Sequence, residues 1–161
     1  MAGVDNSYYC QHKEFVENLI RNTIDNYIIF KLPQVVGHGG NNNNMFNHFR
    51  TIAKENKELD VFQNIKRSLI DVDDVVRIVN NCIDKCNRST INIVGIEELY
   101  VLDIAYRIIQ KLNSYSTVNI INNHNVKNHT LSNSEIVDFS ITDLKISRSN
   151  YTDTLIEKYI W

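Results

Sequence analysis

At 161 residues the chain is long enough for one domain with a buried core, and its hydrophobic share of 43% and charged share of 22% are ordinary for a globular protein. A net charge of -2 excludes binding of nucleic acid through an overall basic surplus, so any phosphate-binding face must be local. No apolar run approaches the roughly 20 residues that span a bilayer, no signal peptide is recognisable, and three cysteines without a framework spacing argue against a disulfide scaffold. We therefore expect an intracellular protein without a membrane partner.

Residues 1–44 are predicted to form a helix followed by an Asn/Gly-rich linker. Ser7 is a candidate N-cap for a helix that runs to about Phe30, because apolar residues line one side of it: Phe15, Leu19, Ile20, Ile24, Tyr27 and Ile28. We expect this apolar side of the helix to be buried against the rest of the domain or, as the alternative, against a partner. Pro33 ends the helix, and residues 36–44 are predicted to be a loop with no preceding strand and no phosphate-binding pattern.

The remaining residues, 45–161, alternate between helical and extended patterns. A short helix is predicted over 45–56, an opening strand over 59–66 and a helix over 71–86. Acidic residues in the first turn of that last helix, where the helix dipole favours negative charge, strengthen the prediction: Asp71, Asp73 and Asp74.

The stretch from 90 to 122 reads as a βαβ unit. Short runs rich in Ile, Val and Thr at 90–95 and 116–121 predict strands, and the amphipathic run at 96–112 predicts a helix. Because a crossover helix packs back on a twisted sheet in one hand only, we expect residues 117–121 to lie parallel to 91–94. Further on, the alternation over 135–146 predicts a strand, and Asn150 with Asp153 predicts the start of a final helix.

No catalytic or cofactor motif is recognisable. The sequence lacks G-x-S-x-G, H-E-x-x-H and a Rossmann glycine set, and Glu97 and Glu98 are explained by their place at the start of a predicted helix. Cys82 and Cys86, one helical turn apart, supply half of a tetrahedral zinc site, so we predict that they bind no metal and form no disulfide. We expect a protein that is not an enzyme and uses no cofactor.

The element order β-α-β-α-β-β over about residues 61–146, with the second helix entered at Gly95, resembles the Alba superfamily. Lys66 and Arg67 stand where that family has a basic pair, and the chain is most similar to the fungal Alba-type subunits of RNase P and RNase MRP. The resemblance implies an α/β Alba-like domain over 45–161, with a C-terminal helix. It also implies that the chain is a non-catalytic subunit of a ribonucleoprotein and binds RNA as a heterodimer with a second Alba-type protein. The expected location is the nucleus, in particular the nucleolus, and fungal members of this kind also occur in telomerase.

Under this hypothesis the RNA-binding residues are basic: Lys66, Arg67, Lys54, Lys57 and Lys127. Apolar residues outside the main stripe of the central helix predict the interface with the partner subunit: Val101, Ile104 and Ile108.

Two alternatives remain open. One is an all-helical protein, similar to poxviral apoptosis inhibitors, that binds a partner helix in an apolar groove, and the other is a structural adaptor with neither RNA nor groove.

Overall fold

The computed structural model describes residues 8–93, 95–122 and 149–161. These residues form a mixed α/β fold with parallel strand pairs. In chain order the elements are α1 (Tyr8–Thr23), β1 (Ile28–Lys31), β2 (Gln34–Val36), α2 (Met45–Lys54), β3 (Leu59–Phe62), β4 (Lys66–Asp71), α3 (Val72–Cys82), β5 (Ser89–Asn92), β6 (Glu98–Tyr100), α4 (Val101–Lys111), β7 (Val118–Ile121) and α5 (Tyr151–Tyr159).

The strands pair across long stretches of sequence. β1 lies parallel to β5, β2 parallel to β4, and β3 parallel to β7, while β6 lies antiparallel to the other edge of β4. Parallel neighbours need a crossover connection rather than a tight hairpin, which explains why helices separate these strands in the chain.

The larger of two hydrophobic clusters surrounds α4. Its buried residues recur at three- and four-residue spacings on one face, as an amphipathic helix requires: Val101, Ile104, Ala105 and Ile108. This face packs against buried side chains of α2, β3 and α5, among them Phe46, Leu59 and Leu155. The smaller cluster joins α3 to β4 and β5 through Ile70, Ile78, Cys82, Ile91 and Ile93.

A polar network fixes α5 to the start of α3. The Tyr151 hydroxyl donates to Asp74 Oδ2 at 2.6 Å and accepts from the Asp71 amide at 2.9 Å. Tyr159 Oη donates to Asp71 Oδ1 at 2.7 Å, and Lys158 Nζ donates to Asp71 Oδ2 at 2.8 Å. Asp71 also caps α3 by accepting from the backbone of Asp73 at 2.9 Å. Two buried carboxylates are thus satisfied by partners from a distant part of the chain.

This network predicts an acid-sensitive fold. Burial alone raises the pKa of Asp71, but hydrogen bonds from Lys158, the Asp73 amide and Tyr159 lower it more, so the net pKa lies below its usual value. The unfolded chain then binds more protons than the folded one, and stability is lost as pH falls through the folded pKa. We expect the free energy of unfolding, measured in urea at fixed ionic strength, to decline below about pH 4.

A matched pair of variants isolates the contribution of Asp71. Asp71→Asn keeps a capping acceptor but removes the titrating group, so the decline should become shallower. Asp84→Asn, at an exposed position just after α3, should leave it unchanged. If Asp71→Asn shows the same pH dependence as the parent chain, the network does not cause the acid sensitivity.

Several elements differ from the sequence-based predictions near the N-terminus. The first helix ends at Thr23 instead of about Phe30, because residues 28–31 pair with β5. The prediction that no strand precedes the glycine-rich loop is wrong, since β2 does. The predicted boundary between residues 44 and 45 falls in the loop before α2, and two strand pairs, β1 with β5 and β2 with β4, connect the segments on either side.

The predicted central βαβ unit is also wrong in its pairing. Residues 118–121 are a strand, but they pair with β3, whereas β5, the strand at residues 89–92, pairs with β1. The central helix starts at Val101 because β6, just before it, pairs with β4. Gly95 permits this approach, since a Cβ there would lie 1.9 Å from Ser68 Cβ. The α/β class is confirmed and the Alba-like arrangement is not, while the strand predicted over 135–146 lies outside the described residues.

Candidate active site

Tyr9 and Lys13 form a phenol–ammonium pair on the first turns of α1. Their four-residue spacing puts them on one side of the helix, and Lys13 Nζ lies 5.4 Å from the centroid of the Tyr9 ring. The same side continues into Val16, which is partly buried, while the Tyr9 side chain remains 68% exposed. An ion pair between Glu17 and Lys31, 2.9 Å apart, fixes α1 to β1. The pair therefore lies on a helix that an ion pair joins to β1, and it is open to a ligand.

The loop from Gly37 to Asn44 links β2 to α2 in an ordered path. Gly39 and Gly40 have φ values of +75° and +84°, which favour glycine. The buried side-chain amide of Asn47 donates to the carbonyls of Gly39 and Asn41 at 3.2 Å each. The side chain of Asn44 caps α2 by accepting from the Asn47 amide. Residues 37–44 therefore form a loop, as predicted, and hydrogen bonds from Asn47 hold it.

Arg67 places a half-buried guanidinium at the start of β4. One of its nitrogens donates to the carbonyl of Lys66 at 2.8 Å, and no ion pair among the described residues includes Arg67. Burial lowers the pKa of Arg67, and the nearby Glu98 carboxylate opposes that shift. A guanidinium carries five N–H donors in a planar fork that matches phosphate oxygens. Arg67 therefore remains a candidate anion ligand.

The other basic residues predicted from sequence are scattered. Lys66 lies over the ring of Tyr100, with its ammonium 4.9 Å from the centroid. Lys54, on α2, lies 5.5 Å from the centroid of the Trp161 ring, and Lys57 pairs with Glu55 at 2.6 Å. Lys127 lies outside the described residues. No basic cluster built from all of these side chains is therefore seen in the described part of the chain.

The residues predicted to meet a partner subunit lie in the core instead. Val101, Ile104 and Ile108 are 7%, 0% and 0% exposed and contact the chain's own helices and strands. Cys82 and Cys86 are free thiols, and burial raises the pKa of Cys82. The absence of metal binding by these cysteines stays a prediction.

The fold and the sequence match define the class of protein. The fold is that of a mixed α/β protein, with parallel strand pairs connected by helices and an exposed Tyr9–Lys13 pair on the first of those helices. Residues 3–94 match the NAD dependent epimerase/dehydratase family. This match includes Tyr9, Lys13, the glycine-rich loop and Arg67, and it extends over more than half of the chain. The chain belongs to the NAD dependent epimerase/dehydratase family. No curated protein is significantly similar to it in sequence.

Solved structures share the fold. A UDP-N-acetylglucosamine 4-epimerase from Methanobrevibacter ruminantium M1, in complex with UDP-N-acetylmuramic acid, aligns with a TM-score of 0.70 at 15% identity, covering 96% of this chain and 53% of that chain. A dTDP-glucose 4,6-dehydratase from Bacillus anthracis str. Ames, in complex with NAD, gives 0.64 at 18% identity, covering 80% and 44%. A UDP-glucuronic acid 4-epimerase from Bacillus cereus, in complex with NAD, gives 0.64 at 23% identity, covering 74% and 41%. The chain thus spans about half the length of these structures.

These findings overturn the function expected from sequence. The family is that of the NAD dependent epimerases and dehydratases, and two of the similar structures were solved with NAD, so the assignment to an Alba-type, RNA-binding RNase P or MRP subunit is wrong. The expectation of a non-enzymatic protein is wrong for the same reason. The all-helical alternative is wrong because the chain contains seven strands among its described residues. No helix in the described ranges is long and apolar enough to cross a membrane.

The described residues do not fit the dinucleotide that the family name implies. A dinucleotide-binding turn needs glycines where the backbone approaches the pyrophosphate, directly before a helix N-terminus. Here the open side of Gly37 is filled by Val72, whose Cγ1 would lie 2.8 Å from an added Cβ. The following helix begins only at Met45 and is capped by Asn44. In the part of the chain that the structure describes, β2 lies at the edge of its sheet, and no crevice between diverging connections opens beside it.

The sequence held a signal for the tyrosine–lysine pair. A phenol and an ammonium four residues apart on a helix face each other, which the spacing of Tyr9 and Lys13 already predicts. The apolar residues of the same helix predict packing against its own domain or a partner, and they do not point to the tyrosine–lysine pair. The sequence also predicts Arg67 as a phosphate ligand, but for the phosphates of RNA.

Proposed function

We propose that this chain is the substrate-binding and proton-transferring part of an NAD-dependent enzyme that acts on a nucleotide-linked sugar. The observation that carries the proposal is the family match over residues 3–94, which includes the exposed Tyr9–Lys13 pair. The similar structures support the substrate class, because their descriptions name UDP- or dTDP-linked sugars.

Tyr9 is proposed as the group that exchanges a proton with a sugar hydroxyl. Chemistry at a hydroxyl-bearing carbon needs a positioned acid or base, and a phenol can serve as either. Lys13, on the same side of α1, places a positive charge beside the ring, which stabilises negative charge on the phenol oxygen while the proton is away. Both groups come from one rigid helix, so their relative position needs no ligand to form.

Arg67 is proposed as a ligand of the substrate's phosphates. Its half-buried guanidinium has one described hydrogen bond, to Lys66 O, which leaves further N–H donors for an anion. Charge-assisted bonds of this kind contribute about 1.5–3 kcal/mol each. A nucleotide-linked sugar carries a diphosphate that suits such a bidentate donor.

Calorimetric titration of the purified chain with UDP-glucose and dTDP-glucose tests this proposal. We expect binding of at least one nucleotide-linked sugar and none of free glucose, since the phosphates supply the charge contact. Arg67→Gln should weaken the affinity about 10- to 100-fold, as loss of a charged hydrogen bond implies.

Lys57→Gln is the matched control, because Lys57 is an exposed cation already paired with Glu55. It should leave the affinity unchanged. Equal weakening by both substitutions would indicate a general charge effect, and absence of binding to every nucleotide-linked sugar would refute the proposed substrate class.

A further inference from the structure

A surface pocket between α2 and Trp161 is a second place where the chain can hold a ligand. It has a volume of about 290 Å³, and its lining consists of Arg50, Thr51, Lys54, Glu55 and Trp161. No residue of α1 or β4, the elements that carry Tyr9 and Arg67, belongs to this lining. The pocket is therefore separate from the candidate active site.

Arg50 and Lys54 bring two positive charges to one side of α2. Residues four apart on a helix are neighbours on its surface, so these two cations repel one another. Among the described residues no ion pair includes either of them. The helix dipole favours Lys54 in the last turn of α2, but it does not account for the partly buried Arg50 one turn earlier. A bound anion would neutralise both charges.

The acidic residue of the lining does not cancel this positive charge. Glu55 forms an ion pair with Lys57, at 2.6 Å between Nζ and Oε2, so its carboxylate is already neutralised. The guanidinium of Arg50 has a planar fork of N–H donors that matches phosphate oxygens, and the ammonium of Lys54 binds phosphate as a point charge. The charged side of the pocket thus suits a phosphate group.

Trp161 adds a large aromatic surface beside these cations. Lys54 Nζ lies 5.5 Å from the centroid of the Trp161 ring. The ring of His38 lies 6.5 Å away and is tilted by 49°, so it is not stacked on the indole. Trp161 remains 74% exposed. An exposed aromatic ring next to cations is the arrangement that stacks a nucleobase while the cations hold its phosphate.

We propose that this pocket binds a nucleoside monophosphate, with the base against Trp161 and the phosphate between Arg50 and Lys54. The volume lies at the lower end of the range for small-molecule pockets, which suits a mononucleotide better than a dinucleotide. The inference does not rest on the function proposed above, because Tyr9 and Arg67 take no part in it.

Fluorescence of the full chain during titration with AMP tests the inference, because Trp161 is the single tryptophan of the sequence. We expect saturable quenching by AMP. Adenosine and inorganic phosphate each offer half of the contacts and should bind at least tenfold more weakly. Arg50→Gln should weaken AMP binding about 10- to 100-fold, as loss of a charged hydrogen bond implies. Lys85→Gln removes an exposed cation outside the pocket and should leave the affinity unchanged.

Calorimetry measures the contribution of the indole, since variants of Trp161 lose the fluorescence signal. Trp161→Leu should lower the affinity for AMP at least fivefold through loss of stacking. Trp161→Phe keeps an aromatic ring and should lower the affinity less. Both variants should fold, because the side chain is exposed.

Acrylamide quenching shows whether the indole is open to a ligand. Acrylamide should quench the emission of Trp161 in the chain alone, and bound AMP should protect it. A ring protected without AMP, equal affinity for inorganic phosphate and AMP, or unchanged affinity in Arg50→Gln would each overturn the inference. Arg67→Gln should keep AMP binding and Arg50→Gln should keep the binding of UDP-glucose, so the two proposals fail separately.

Discussion

Replacing Tyr9 by Phe is expected to lower kcat/KM of the enzyme assembled on this chain by about 10²- to 10⁴-fold, the usual contribution of a general acid or base. The substitution removes one oxygen atom and keeps the ring that lies beside Lys13. Because Tyr9 is 68% exposed on a helix with no buried residue, the fold should not change. Turnover of a UDP- or dTDP-linked sugar in the assembly purified from native cells provides the measurement.

Tyr8→Phe is the control, since Tyr8 precedes Tyr9 on the same helix and is 92% exposed. It should retain full turnover. The affinity of the isolated Tyr9→Phe chain for the nucleotide-linked sugar should stay close to that of the parent, because a proton-transfer group acts on the rate more than on ground-state binding. Full activity of Tyr9→Phe would exclude it as the proton-transfer residue.

Ile104→Asp is expected to prevent folding rather than to weaken an association with a partner. Ile104 is fully buried in the cluster around α4, and a carboxylate there would lack a partner or water. Such a burial costs about 4 kcal/mol or more, a large part of the stability of a typical domain. Circular dichroism and urea unfolding should show a chain without a cooperative transition.

Tyr106→Asp tests the same substitution on the other side of α4, where the side chain is 50% exposed. It should fold, with a loss of no more than about 1 kcal/mol. A folded, cooperative Ile104→Asp chain would contradict the burial of this face and would restore the idea that it meets another protein.

Sequence periodicity predicted the helices that bury one face and three strands, β3, β5 and β7, but it missed β1, β2, β4 and β6. α2, α3 and α5 lie close to their predicted positions because their apolar residues recur at helical spacing next to polar ones. β1 was merged into the first helix, since a short apolar run such as Ile28–Lys31 satisfies either period. Its extended state depends on pairing with β5, about 60 residues away, which local pattern does not encode.

The pairing of strands was the least predictable part of the fold. The strands predicted at 90–95 and 116–121, on either side of the central helix, are close in sequence. Such strands often pair, which favours the βαβ unit that the structure does not contain. In the structure β5 pairs with β1 and β7 pairs with β3, and both of these partners lie earlier in the chain. The resemblance to Alba proteins depended on a predicted element order that omits β4 and β6, and the wrong function followed from that resemblance.

The candidate site was partly readable from the residues themselves. The sequence predicts Arg67 as a phosphate ligand because guanidinium chemistry does not depend on fold, whereas the proposed ligand changes from RNA to a nucleotide-linked sugar once the family is known. The spacing of Tyr9 and Lys13 predicts that they lie on one side of a helix, but their proposed role in proton transfer can be inferred only once the family is known. The sequence shows no dinucleotide-binding turn, and this absence does not exclude an enzyme, since the chain belongs to an enzyme family.

Nuclear magnetic resonance of the isotope-labelled chain, titrated with UDP-glucose and dTDP-glucose, tests most directly whether this chain holds the substrate. The account predicts that the amide signals of Tyr9, Lys13 and Arg67 shift together and saturate with one dissociation constant for at least one of the two sugars. NAD should leave the same signals in place. Shifts confined to other parts of the chain, or NAD-dependent shifts in the isolated chain with none from either sugar, would contradict it.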